Sequence, residues 1–131
     1  MAQRERPLSP FMHYRWQYTN TLSILHRITG VLLSAGFLIL VYWLAAAAGG
    51  SNSYARAIAC LGSPLVKLVL AGALFSFCYH LMMGFRHLAF DLGLGFELKT
   101  ARWTGWAAAA VALLLTLVFW IALAGSFGGG A

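Results

Sequence analysis

Residues 68–85 read LVLAGALFSFCYHLMMGF, eighteen positions without one Asp, Glu, Lys or Arg. A bilayer hydrocarbon core about 30 Å thick is crossed by about 20 apolar residues in helical form. This run and its flanks meet that length, and so do residues 28–48 and 106–124. None of the three alternates with period two, and a chain in lipid must pair its backbone N–H and C=O groups within the segment, as a helix does. The expectation is an all-α integral membrane protein with three transmembrane helices.

Composition points the same way. Of 131 residues, 61% are hydrophobic and 9% charged, against about 25% charged in soluble domains. The net charge of +6 is dispersed over helix ends rather than gathered on one soluble face, so it reports topology and argues against nucleic acid as a partner. The first apolar run is about twice the 7 to 15 residues of a signal-peptide core, and it reads as retained.

Arg4, Arg6, Arg15 and Arg27 lie on the N-terminal side, and Arg86, Lys99 and Arg102 flank the second connection, whereas only Arg56 and Lys67 flank the first. The positive-inside rule then expects the N-terminus in the cytoplasm and the C-terminus outside. The expected order is a cytoplasmic segment 1–20, a first span 21–48, an external loop 49–63, a second span 64–90, a cytoplasmic loop 91–102 and a third span 103–127. Pro64 suits a first helical turn, and the Gly, Ser and Asn before it read as loop. Trp103, Trp106, Trp120, Tyr42 and Trp43 stand where interfacial aromatic belts lie, although helix packing accounts for each equally well. Three such helices leave little room to enclose a large ligand, so partner helices are expected.

His80 is the residue out of place. At about 1.5 Å per residue it lies about 15 Å from the helix end near residue 90, and ionisable groups at that depth face a cofactor, a cavity or a partner. A neutral imidazole bonded to a neighbouring helix is the plain alternative. Gly72, Ser76, His80 and Gly84 recur every four residues, forming a face of small side chains on which a flat macrocycle or another helix can lie. His87, seven residues on, shares that face about 10 Å nearer the cytoplasm. The pair therefore cannot be trans ligands of one haem, whose axial nitrogens approach opposite faces of the ring at about 2 Å from the metal. A second ligand would come from another helix.

His26 and Arg27, opening the first span, are level with Arg86 and His87. Cations and donors there suit haem propionates, which are costly to bury unpaired; arginines snorkelling to lipid phosphates are the alternative. Ser23 lies three residues before His26 and four before Arg27, on the same side of the helix. A hydroxyl beside a cation suits a carbonyl ligand, and helix capping in company with Thr19, Asn20 and Thr21 accounts for it as well.

Three segments, RPLSP at residues 6–10, SILHRITG at residues 23–30, and the group His80, Gly84, Arg86, His87 and Asp91, together resemble the cytochrome b membrane-anchor subunit of succinate dehydrogenase, respiratory complex II. The resemblance covers most of the chain. Phe11 departs from it, standing where members often carry a histidine, and His13 follows two residues later. The resemblance implies that His80 is an axial ligand of a haem b iron, with a small partner anchor subunit giving the other. It implies that Ser23, Ile24 and Arg27 belong to a ubiquinone site, and that His26, Arg27 and His87 surround the haem propionates.

It further implies an iron–sulfur subunit and a flavoprotein subunit as partners, and electron transfer from succinate to quinone with no catalysis by this chain alone. The lack of a transit peptide favours a bacterial cytoplasmic membrane over a mitochondrial one. The residues by themselves also accommodate a haem-free transport or binding module, an anchor working in the direction of fumarate reduction, and a freestanding cytochrome in which two copies share a haem.

Overall fold

The computed structural model describes residues 15–128 as four helices: α1 (Tyr18–Ala48), α2 (Ser51–Leu61), α3 (Pro64–Asp91) and α4 (Leu98–Gly128). No strand occurs among the described residues. The RPLSP motif, Arg4, Phe11, His13 and the tail from residue 129 lie outside them.

α1, α3 and α4 are the three spans, with mean hydropathies of 2.2, 1.8 and 2.4 over their most apolar windows. The all-α, three-span expectation is borne out. At 1.5 Å per residue the three helices are roughly 40 to 47 Å long, more than the hydrocarbon core, so their ends continue into the headgroup layer. This is why α4 starts at Leu98, ahead of the apolar run, and α1 at Tyr18: helical hydrogen bonding persists past the last apolar residue.

The first connection is not the loop expected over residues 49–63. It holds α2, an eleven-residue helix whose Tyr54, Ala57, Ile58 and Leu61 follow the i, i+3, i+4, i+7 spacing of an amphipathic face. Ala57 is fully buried. Ser51, Asn52 and Ser53 look like loop formers, but they occupy the first helical turn, where such residues are tolerated. The chain reverses from α1 into α2 at Gly50, whose φ of 90° lies in a region that costs L-residues with a Cβ. Pro64 then opens α3 at the start of its first turn, where its missing N–H has no helical acceptor to lose.

α3 is the central element. It packs along both α1 and α4, whereas α1 and α4 scarcely meet. The core between them is Leu22, Cys78, Tyr79, Met83 and Ala112, flanked by Tyr18, Leu25, Phe75 and Ala108. Tyr79 is fully buried and donates its hydroxyl to the Leu22 carbonyl at 3.2 Å, joining α3 to α1. Buried Ser76 and Thr29 return their hydroxyls to their own helices, at Gly72 O (2.8 Å) and His26 O (2.9 Å), which avoids an unpaired polar group in apolar surroundings.

Candidate functional site

Three imidazoles meet where α1 packs on α3. His26 of α1 lies between the two histidines of α3, stacked on His80 with centroids 4.0 Å apart and planes at 14°, and tilted against His87 at 5.1 Å and 50°. Residues three and four apart share a helix face, so Thr29 and Gly30 follow His26 along the α1 face that meets α3.

His80 Nδ1 lies 3.3 Å from the His26 carbonyl oxygen. A carbonyl only accepts, so this contact places the proton on Nδ1 and leaves the lone pair on Nε2. Gly30 lets the ring come so close: a Cβ there would lie 3.2 Å from His80 Cε1 and 3.7 Å from Nδ1. On α3 itself, Gly72 and Gly84 open onto free space on either side of His80. The expected row of small side chains is thus open at Gly72, about two turns before His80, and at Gly84, about one turn after it, with Ser76 between turned inward and buried. The His26 Nδ1 is also buried, and it finds no hydrogen-bond partner among the described residues.

Beside this column, toward the start of α1, lies a cavity of about 260 Å³ lined by Thr19, Leu22, Ser23, Met83, Arg86, His87, Phe90, Phe96 and Ala101. Ligand pockets usually span about 300–1,000 Å³, so this one is of single-ring size. Its cation is Arg86, held in place by Nη2 donating to Ala101 O at 2.9 Å and Nε donating to Thr104 Oγ1 at 3.3 Å, with its guanidinium 4.3 Å from the centre of the Phe90 ring. Ile24 and Arg27 are exposed on α1 and do not line the cavity. Of the residues singled out in the sequence, the structure thus brings together His26, His80 and His87 in one column, and Ser23, Arg86 and His87 around one cavity.

Residues 2–119 match the family of succinate dehydrogenase/fumarate reductase transmembrane subunits. The chain belongs to that family. It is 41% identical over 118 residues to the succinate dehydrogenase cytochrome b556 subunit of Rickettsia prowazekii, covering 89% of this chain and 92% of that protein. The b556 subunit of Paracoccus denitrificans is 36% identical over 121 residues, 88% of this chain and 93% of its own. The mitochondrial cytochrome b560 subunit of Sus scrofa is 35% identical over 122 residues, 91% of this chain and 70% of its own. This member of the family is a multi-pass membrane anchor of an enzyme complex and not a catalyst by itself.

Thr29 and Gly30 stand inside the SILHRITG motif, yet their spacing from His26 is the only sequence signal of a role, and it needs the α1–α3 packing to become legible. The clamp from Arg86 to α4 has no sequence signal, since residues 15 and 18 positions apart meet there only through the turn between two helices.

Proposed function

We propose that this chain is the large, haem b-bearing anchor subunit of a succinate:ubiquinone oxidoreductase in a bacterial cytoplasmic membrane, with the N-terminus and the α3–α4 connection on the cytoplasmic side. The observation that carries the reading is the His80 imidazole, whose Nδ1 is engaged by a carbonyl and whose Nε2 is left free, deep in a span. Metal-ligating histidines typically donate their other ring N–H in this way. The relatives' cytochrome b names supply the cofactor class.

The residues present fit a haem. His80 is only partly covered, glycines open the helix surface on both sides of it, and the buried, unpartnered His26 Nδ1 offers a polar atom to a group not belonging to this chain. His80 would ligate the iron, and His26, Arg27 and His87 would surround the propionates. The haem supplies one-electron transfer when bound. His87, on the far side of His26 from His80, would not hold the same iron, and a second histidine would come from a small anchor subunit.

Ubiquinone is the substrate that suits the neighbouring cavity. Ser23, at its wall, donates a hydrogen bond to a quinone carbonyl, while Ile24 and Arg27 extend the site along α1. Arg86, the cation in the cavity wall, and Arg27, exposed just outside it, would offset the negative charge that develops on the oxygen during reduction, an electrostatic role of the oxyanion-hole type. Electrons reach the site from succinate through flavoprotein and iron–sulfur subunits bound on the cytoplasmic side.

The test is purification of the complex through this chain from native membranes, with its dithionite-reduced minus oxidised spectrum and its subunit composition. A low-spin b-type spectrum with flavoprotein, iron–sulfur and second anchor subunits attached is expected. A haem-free chain purified without partners would overturn the proposal.

A further inference from the structure

We propose that Thr29 and Gly30 are positioning residues for the axial imidazole, Gly30 by clearing the space in which the His80 ring lies and Thr29 by sharing the carbonyl that holds its Nδ1–H. The inference rests on His80 being the haem ligand and adds what sets that ligand's donor strength.

The His26 carbonyl is crowded. It accepts from the Thr29 hydroxyl at 2.9 Å and faces His80 Nδ1 at 3.3 Å. By ordinary helix geometry it is also the acceptor for the Gly30 N–H four residues on. A carbonyl oxygen has two lone pairs, so each donor receives less than it would alone. Thr29 is 1% exposed; its hydroxyl cannot turn to water and stays on this oxygen.

A hydrogen bond to the non-ligating nitrogen makes an imidazole a more basic ligand, and a more electron-rich ligand favours the oxidised iron. Thr29, by drawing on the same oxygen, keeps that bond weak; removal of its hydroxyl strengthens the Nδ1–H contact and lowers the haem potential. Gly30 acts in the opposite sense. A methyl at residue 30 would sit 3.2 Å from His80 Cε1 and push the ring off the His26 carbonyl, which weakens the contact and raises the potential.

The experiment is a redox titration of the haem in the purified complex, followed at its reduced visible band, for wild type, Thr29→Val, Thr29→Ser and Gly30→Ala. Thr29→Val is expected to lower the midpoint by up to a tenfold change in the electron-transfer equilibrium, about 59 mV for one electron. Gly30→Ala is expected to raise it and to alter the low-spin electron paramagnetic resonance signal, while Thr29→Ser keeps the wild-type value. If Thr29→Val does not assemble, Thr29→Ala removes the same hydroxyl with less bulk and is expected to shift the midpoint the same way. Equal midpoints with and without the hydroxyl, or shifts of the same sign for the residue 29 and residue 30 variants, would overturn the proposal. A wild-type complex without haem would instead end the assignment of His80 itself.

Discussion

The His80 ring stacks on that of His26 at 4.0 Å, and the backbone oxygen of the same His26 faces the His80 Nδ1 at 3.3 Å. One residue of α1 is therefore both the wall against which the imidazole lies and the acceptor that selects its tautomer. A ring held on two sides has little freedom to rotate, and a ligand whose rotamer is set before the metal arrives loses less entropy on binding.

His80→Ala is expected to abolish the low-spin b-type band while the complex retains its other subunits. Absorption spectra of the purified variant, normalised to flavin content, measure this; an unchanged band would remove His80 from the iron.

Ser23→Ala removes the cavity-wall hydroxyl proposed to donate to a quinone carbonyl. A neutral hydrogen bond contributes about 0.5–1.5 kcal/mol, and each 1.36 kcal/mol is tenfold in rate, so succinate-to-ubiquinone turnover is expected to fall by about twofold to thirteenfold. Succinate oxidation by a soluble artificial acceptor should stay at the wild-type rate. Parallel loss of both activities would point to failed assembly in place of a quinone contact.

Arg86→Lys keeps the charge beside the cavity but loses the fork that reaches Ala101 and Thr104 together, which an ammonium cannot reproduce. The KM for a short-chain ubiquinone analogue is expected to rise about fivefold, the effect of about 1 kcal/mol. Thr104→Val, which breaks the Nε contact and leaves the charge, should give a smaller rise. Wild-type values for both variants would exclude Arg86 from the site.

Tyr79→Phe deletes the hydroxyl that joins α3 to the Leu22 carbonyl. Leu22 O keeps its own helical partner, and interhelical hydrogen bonds in membranes average about 0.6 kcal/mol, so only a slight drop in the thermal midpoint of the complex is expected. A drop of many degrees would mean that the ring of Tyr79, and not its hydroxyl, had been displaced.

Orientation is tested at α2. Asn52 is exposed and opens that helix, so Asn52→Cys in a Cys60→Ser background should react with a membrane-impermeant maleimide in intact spheroplasts. Reaction only in inside-out vesicles would invert the topology.

Much of this architecture can be read from hydropathy, because a span is defined by length and the absence of charge, both properties of one segment. His80 stood out for the same reason. What escaped was either polar in composition or relational. α2 was hidden behind Ser51, Asn52 and Ser53, which resemble a loop until the spacing of Tyr54, Ala57, Ile58 and Leu61 is weighed. The pairing of His26 with His80, the notch at Gly30 and the reach of Arg86 to Ala101 depend on how helices are rotated about their axes. Periodicity within one helix gives the faces but not which face meets which.

The row formed by α1, α3 and α4, with the outer two scarcely in contact, has a consequence for how the chain is made. Synthesis delivers α1 first, then α3, and only afterwards α4. Every residue of the imidazole column belongs to the first two spans, so nothing in it waits for the C-terminal third of the polypeptide. A chain ending within the α3–α4 connection would keep His80, His26 and His87, whereas the cavity wall at Ala101 and the clamp from Arg86 to Ala101 and Thr104 arrive only with α4.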